Sequence, residues 1–169
     1  MKVVKFAVLM VAMLWGSVAL AQGRIAVFDL EAAVLNTDVA KQRLNALRNQ
    51  KEFKNNLSEL ETVRKDYEKL VQKLQKDIEI MSAEQRQLAK NQIDSKRSDG
   101  EHLARKIEAA QQQEVQAIMK EVGPKLQKLL PEIIKEENIG LLLPAKAVMH
   151  ADAGYNITAK VADKLNQAK

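Results

Sequence analysis

The chain has 169 residues, with 27 Lys and Arg against 22 Asp and Glu, a net charge of +5 and no cysteine. The missing cysteine excludes disulfides, thiolate chemistry and a lipid-modified cysteine behind a leader. Aromatic residues make up only 4% of the chain, too few large side chains for a conventional globular core, while Lys, Glu, Gln, Leu and Ala prevail as they do in long helices.

The first residues read MKVVKFAVLMVAMLWGSVALAQ. Lys2 and Lys5 make a positive start, an apolar run extends from Phe6 to Trp15, and small residues end at Ala19-Leu20-Ala21, the layout of a secretory signal over residues 1–21 cleaved before Gln22. A retained anchor is the competing reading, but the run is short of the roughly 20 apolar residues that span a bilayer. Cleavage removes Lys2, Lys5 and no acid, so the exported chain carries +3; it also loses Trp15, leaving Phe28, Phe53, Tyr67 and Tyr155 as aromatics.

RIAVFDL (24–30) is rich in β-branched and aromatic residues and predicts a short strand. Ala32 to Leu35 predicts a helical turn, and Asn36-Thr37-Asp38 offers capping side chains for a new helix. From Asp38 to Met81 there is no proline or glycine. Leu57, Leu60, Val63, Tyr67, Leu70, Val71, Leu74, Ile78 and Met81 recur every three or four residues, a stripe on one face of a helix roughly 60 Å long. Ser82 and Gln85 then have the spacing of a capping box, so the helix is expected to stop at a tip near 81–84 and a second to start antiparallel to it. An unbroken helix would leave the stripe with nothing to pack against.

Pairing positions whose numbers sum to about 163 sets Leu74 opposite Ala89, Leu70 opposite Ile93, Leu60 opposite Leu103 and Asn56 near Ile107, as an antiparallel seam requires. Tyr67 then faces Lys96 and Val63 faces Gly100. Since glycine costs about 1 kcal/mol in a helix interior, the second arm is expected to be weakly zipped there and to bend at Gly100. Val115, Ile118, Val122, Leu126, Leu129, Ile133 and Ile134 continue the second stripe, with kinks expected at Gly123-Pro124 and Pro131. Asn138-Ile139-Gly140 is a stop signal. Leu141-Leu142-Leu143 is expected to be a buried strand, Ala147 to Ala151 a second one, with a turn at Ala153-Gly154. Thr158 is the expected N-cap of a last short helix.

The resulting fold class is mainly α with a small β body: a long antiparallel helical hairpin, a coiled-coil arm over 38–122, projecting from a body of 22–37 and 123–169. So few strands are marginal alone. Their edges, carrying Ile25, Val27, Leu141, Leu142 and Leu143, are expected to close with copies of the same chain into an intersubunit β-barrel of two to four chains.

Catalytic motifs are missing: there is no HExxH, CxxC, P-loop, GxGxxG or GxSxG, and His102 and His150 lie far apart. No enzyme activity, cofactor or metal is expected. Toward the tip, Lys73, Lys76, Arg86, Lys90, Lys96 and Arg97 gather with Asp77, Glu79, Glu84 and Asp94 among them. They fit either ordinary solvated helix faces or a positive rim for anionic lipid head groups or acidic clients. An exported chain rarely meets nucleic acid, so none is expected.

Two segments, RIAVFDLEAAVLN and LLLPAKAVMHADAGYNITAKVADKL, carry a resemblance to the Skp (OmpH-like) periplasmic chaperones that spans essentially the whole exported chain. In the second, the order of apolar strand, AVMHAD, turn and NIT opening a helix is the more specific. The resemblance implies a homotrimer whose small β-barrel body carries three helical hairpins around a cavity. It further implies ATP-independent holding of unfolded outer-membrane proteins in the periplasm, and basic surfaces that meet acidic clients and lipopolysaccharide. A second reading is a structural coiled-coil adaptor bridging envelope proteins, which calls for a rigid, evenly zipped hairpin. Gly100 and the Tyr67/Lys96 mismatch favour the chaperone.

Overall fold

The computed structural model describes residues 23–168; the leader expected over residues 1–21 lies outside them. The chain divides into two compact units, one containing the residues before Asp38 together with Val122 onward, the other Asp38–Glu121.

In the first unit, β1 (Arg24–Phe28) is followed by α1 (Leu30–Leu35). Asp29 caps α1, its carboxylate accepting from the Ala32 amide at 2.9 Å. β1 pairs in parallel with β2 (Ile139–Pro144), with Ile25 opposite Leu141, Ala26 opposite Leu142 and Val27 opposite Leu143. A parallel pair needs a long crossover between its strands, and here it is the whole helical stretch from 30 to 136. The ladder is irregular beside Arg24. There, Gly23 and Gly140 bring two backbones together: a Cβ on Gly23 would lie 2.5 Å from the Gly140 nitrogen. Only glycine permits that approach.

Ala26, Val27 and Phe28 are all buried, so both faces of β1 are covered. Val34, Val122, Leu126, Ile133, Ile139, Ile157, Val161 and Leu165 complete this core. The last helix of the chain, Thr158–Gln167, packs on α1.

Three expectations are corrected in this unit. Leu141–Leu143 do form a strand, but within a single chain it is not a buried one: Leu141 is 49% exposed, and Leu142 and Leu143 are half-buried. No strand forms over 147–151; a 3-10 turn at Ala145–Ala147 is followed by irregular chain, which makes no ladder with β1 or β2. The turn expected at Ala153-Gly154 is present, as a second 3-10 turn, Ala153–Tyr155. Thr158 is not the cap of the last helix. Its buried hydroxyl accepts instead from the Asp29 amide at 3.0 Å; Ile157 stands at the N-cap without a side-chain bond, and the Asn156 side chain just before it accepts from the Thr158 amide at 2.9 Å.

The second unit holds α2 (Asp38–Asn49), α3 (Lys51–Asp77) and most of α4 (Ala83–Glu136); the last helix is α5. The single helix expected from Asp38 to Met81 is broken at Gln50, whose ψ of 137° is extended. The break has a packing reason. Leu47 and Phe53 both bury against Ile107. Six residues along an unbroken helix would put them about 120° apart. One extended residue between them turns both side chains to the same partner.

α4 is helical throughout its 54 residues, with Gly100, Gly123, Pro124 and Pro131 all inside it. It ends where Asn138 takes a left-handed φ of 49°.

Candidate functional site

The candidate site is the seam between α3 and α4. Around the tip, α3 ends at Asp77, and the Ile80 and Met81 amides donate back to the Asp77 carbonyl at 3.0 and 3.1 Å. The Gln85 amide donates to Ser82 Oγ at 3.2 Å, and the Ser82 amide donates to Gln85 Oε1 at 2.8 Å. These two bonds satisfy amides at the start of α4 that have no helical acceptor.

Below the tip the two helices meet in antiparallel order. Val63 and Leu60 lie beside Gly100, and Phe53 clusters with Ile107, Leu60 and Ala110. Phe53, Val63, Leu103 and Ile107 are buried in this seam. Val63 is thus covered by the backbone at Gly100, not left without a partner as the pairing had implied. Toward the tip the seam opens. Tyr67, Leu70, Val71 and Leu74 are only half-buried, Leu88 is 57% exposed and Ile80 85%. The physical cause lies in the facing side chains: Ala89, Gln92 and Lys96 are small or polar and cannot cap the large residues of α3. A cavity of about 470 Å³ remains at the tip, floored by Leu70, Leu74, Ile80, Met81, Leu88 and Ala89.

The basic residues picked out in the sequence do not form one surface of a single kind. Lys73 lines the tip cavity together with Asp77. Lys96 sits 4.0 Å from Asp66 and Arg97 3.0 Å from Asp94. Lys73, Lys76, Arg86 and Lys90 have no ion pair among the described residues. Ile25 and Leu141, at the strands, are about half exposed, whereas Val27 is buried.

Two features escaped the sequence. Arg43 forks between Glu114, 2.6 Å from Nε, and Glu121, 2.6 Å from Nη1; these hydrogen bonds, that to Glu114 foremost, push its pKa up. The two glutamates are seven residues apart, about two turns on one face of α4. At the other unit, Glu137 receives Arg24 at 2.7 Å and Lys160, whose hydrogen bond holds the carboxyl below its usual range. Both sets join residues distant in sequence, so no local pattern announces them. Among the described residues no group of His, Cys, Asp and Glu is placed to hold a metal ion, and no helix is long and apolar enough to cross a membrane.

Comparison with known proteins bears on this geometry. The family described as outer membrane protein (OmpH-like) matches residues 24–165. A Skp-like protein of Pseudomonas aeruginosa is 26% identical over 168 residues, covering 99% of each chain. The chaperone protein Skp of Photorhabdus luminescens is 31% identical over 126 residues, 73% of this chain and 71% of that one. The protein of the same name from Photorhabdus laumondii is 30% identical over 113 residues, 65% and 67% of the two chains. A match over most of the length, through both the strand-bearing unit and the hairpin, establishes that the chain belongs to the Skp (OmpH-like) family of outer membrane chaperones.

Proposed function

We propose that the hairpin holds unfolded outer-membrane proteins and prevents their aggregation, without ATP, in the periplasm where chaperones of this family reside. The observation that carries this is the half-closed seam, with large apolar side chains left open from Tyr67 to Leu88. A rod that needed only to be stiff would bury its stripe. Unfolded membrane β-strands carry apolar side chains at every second position, and these need cover in water. Many shallow contacts along a helix pair supply that cover while each remains weak enough to release.

Self-association into a homotrimer through the strands is part of the proposal. The exposed Ile25 and Leu141 and the outer edge of β2, unpaired among the described residues, support it, since an apolar strand edge is a template for pairing. The exported state rests on the leader pattern of residues 1–21. Lys73, Lys76, Arg86 and Lys90, without an ion pair among the described residues, support contact with acidic clients, anionic lipid or lipopolysaccharide head groups. Rapid dilution of a urea-unfolded outer-membrane protein into the mature chain tests the main claim. Light scattering is expected to stay low at one chaperone trimer per client. Aggregation as fast as in buffer, across a range of salt, would refute it. Slow, uniform amide exchange through 85–105 would favour the adaptor reading instead.

A further inference from the structure

On one flank of the seam, Leu60, Val63, Tyr67 and Gly100 floor a notch of about 190 Å³. Its rim holds Arg64, Lys96 and Arg97 against a single acid, Glu101. Gly100 is the residue the fold does not account for. Its φ is not positive, and a Cβ there would sit 3.6 Å from Val63 Cγ1 and 3.9 Å from Leu60 Cδ1, an ordinary contact. Alanine would therefore fit, and it favours the helix more. What glycine preserves is the open space.

We propose that this notch receives an aromatic side chain of an unfolded polypeptide client, an inference that rests on the chaperone reading above. Size and charge both point to that occupant. An apolar cavity of about 150 Å³ lined by Leu, Ile and Phe takes up benzene, so one phenyl ring fits here. Cations around an apolar floor complement the negative face of an aromatic ring, and the Tyr67 ring adds a further aromatic surface. Arg64, Arg97 and Lys96 now lie 3.3, 3.0 and 4.0 Å from Glu68, Asp94 and Asp66. Such exposed pairs are weak and can turn toward a ring at little cost. An aliphatic side chain would fill the same space without gaining from the rim.

The test uses the mature chain with labelled Val and Leu methyl groups, titrated with a short acetylated and amidated peptide carrying one central phenylalanine. Saturable shifts of the Val63 and Leu60 methyls are expected. A peptide with cyclohexylalanine in place of phenylalanine should bind about threefold more weakly. Gly100→Leu fills the notch and should weaken the phenylalanine peptide about tenfold, with Gly100→Ala between it and the parent. If Gly100 serves instead as a hinge, the alanine and leucine variants should act alike, which would overturn the proposal. So would missing shifts, or an affinity that Gly100→Leu leaves unchanged. The double variant Arg64→Gln, Arg97→Gln leaves the floor intact and should abolish the preference for phenylalanine over cyclohexylalanine; a retained preference also counts against the notch. Failure of the chaperone reading shows separately, as no suppression of client aggregation by the parent chain.

Discussion

Glu137 shows how much a single side chain can organise when its partners come from far along the chain. Arg24 leads into β1 and Lys160 belongs to α5, and both meet this carboxylate just beyond the end of α4. Its pKa is lowered, chiefly by the Lys160 hydrogen bond, from the ordinary 4.5. A depressed carboxyl contributes stability that is complete above the unfolded value and is lost as pH falls through the lower, folded one. Acidification below about pH 4.5 is therefore expected to loosen the strand-bearing unit. Glu137→Gln should lower the thermal midpoint at neutral pH and make it fall less steeply between about pH 6 and pH 3. Parallel pH profiles for parent and variant would show that Glu137 plays no such part. Arg43 is the counterpart in the hairpin, where its planar fork reaches two glutamates at once, a geometry lysine cannot copy.

Among the elements, the helix ends carry the clearest expectations. Gln50 stands at the N-cap of α3 yet makes no side-chain cap bond. Serine there can accept from an amide of the first turn, so Gln50→Ser should stabilise the hairpin by about 0.5–1 kcal/mol. Chemical denaturation measures it, and a lower midpoint would mean that the Gln50 side chain matters in another way. The Ser82–Gln85 box is already made in both directions. Ser82→Ala should cost the first turn of α4 about 1 kcal/mol and speed amide exchange at Gln85 and Arg86, leaving exchange near Ile107 unchanged. Equal exchange at the tip in both proteins would show that the turn holds without its cap.

For the molecule as a whole, two surfaces are left unfinished within one chain: the open seam and the exposed side of the strands. Leu142 lies between half-exposed Leu141 and half-buried Leu143 on β2. A charge placed there and then buried between subunits has no partner, so Leu142→Asp should release single chains in sedimentation analysis. An oligomer of unchanged mass would remove the strands from the proposed interface. The same variant, if monomeric, should hold clients far less well, because one hairpin offers only part of the needed cover.

Much of this protein could be read from its residues in order. The strand at 24–28, the stripe along α3, the capping box at Ser82 and the stop at Asn138 each rest on neighbours within a few positions, and the tail segment pointed to the family. The break at Gln50, the Thr158 bond to Asp29, the Arg43 fork and the irregular chain at 147–151 were not legible in the same way. Each depends on which distant groups arrive beside a residue: Ile107 beside Leu47 and Phe53, Asp29 beside Thr158, Glu114 and Glu121 beside Arg43. Backbone propensity and side-chain period act locally and so are written in the sequence. How far a seam closes is set by the sizes of side chains that meet across it, and only the folded chain decides those meetings.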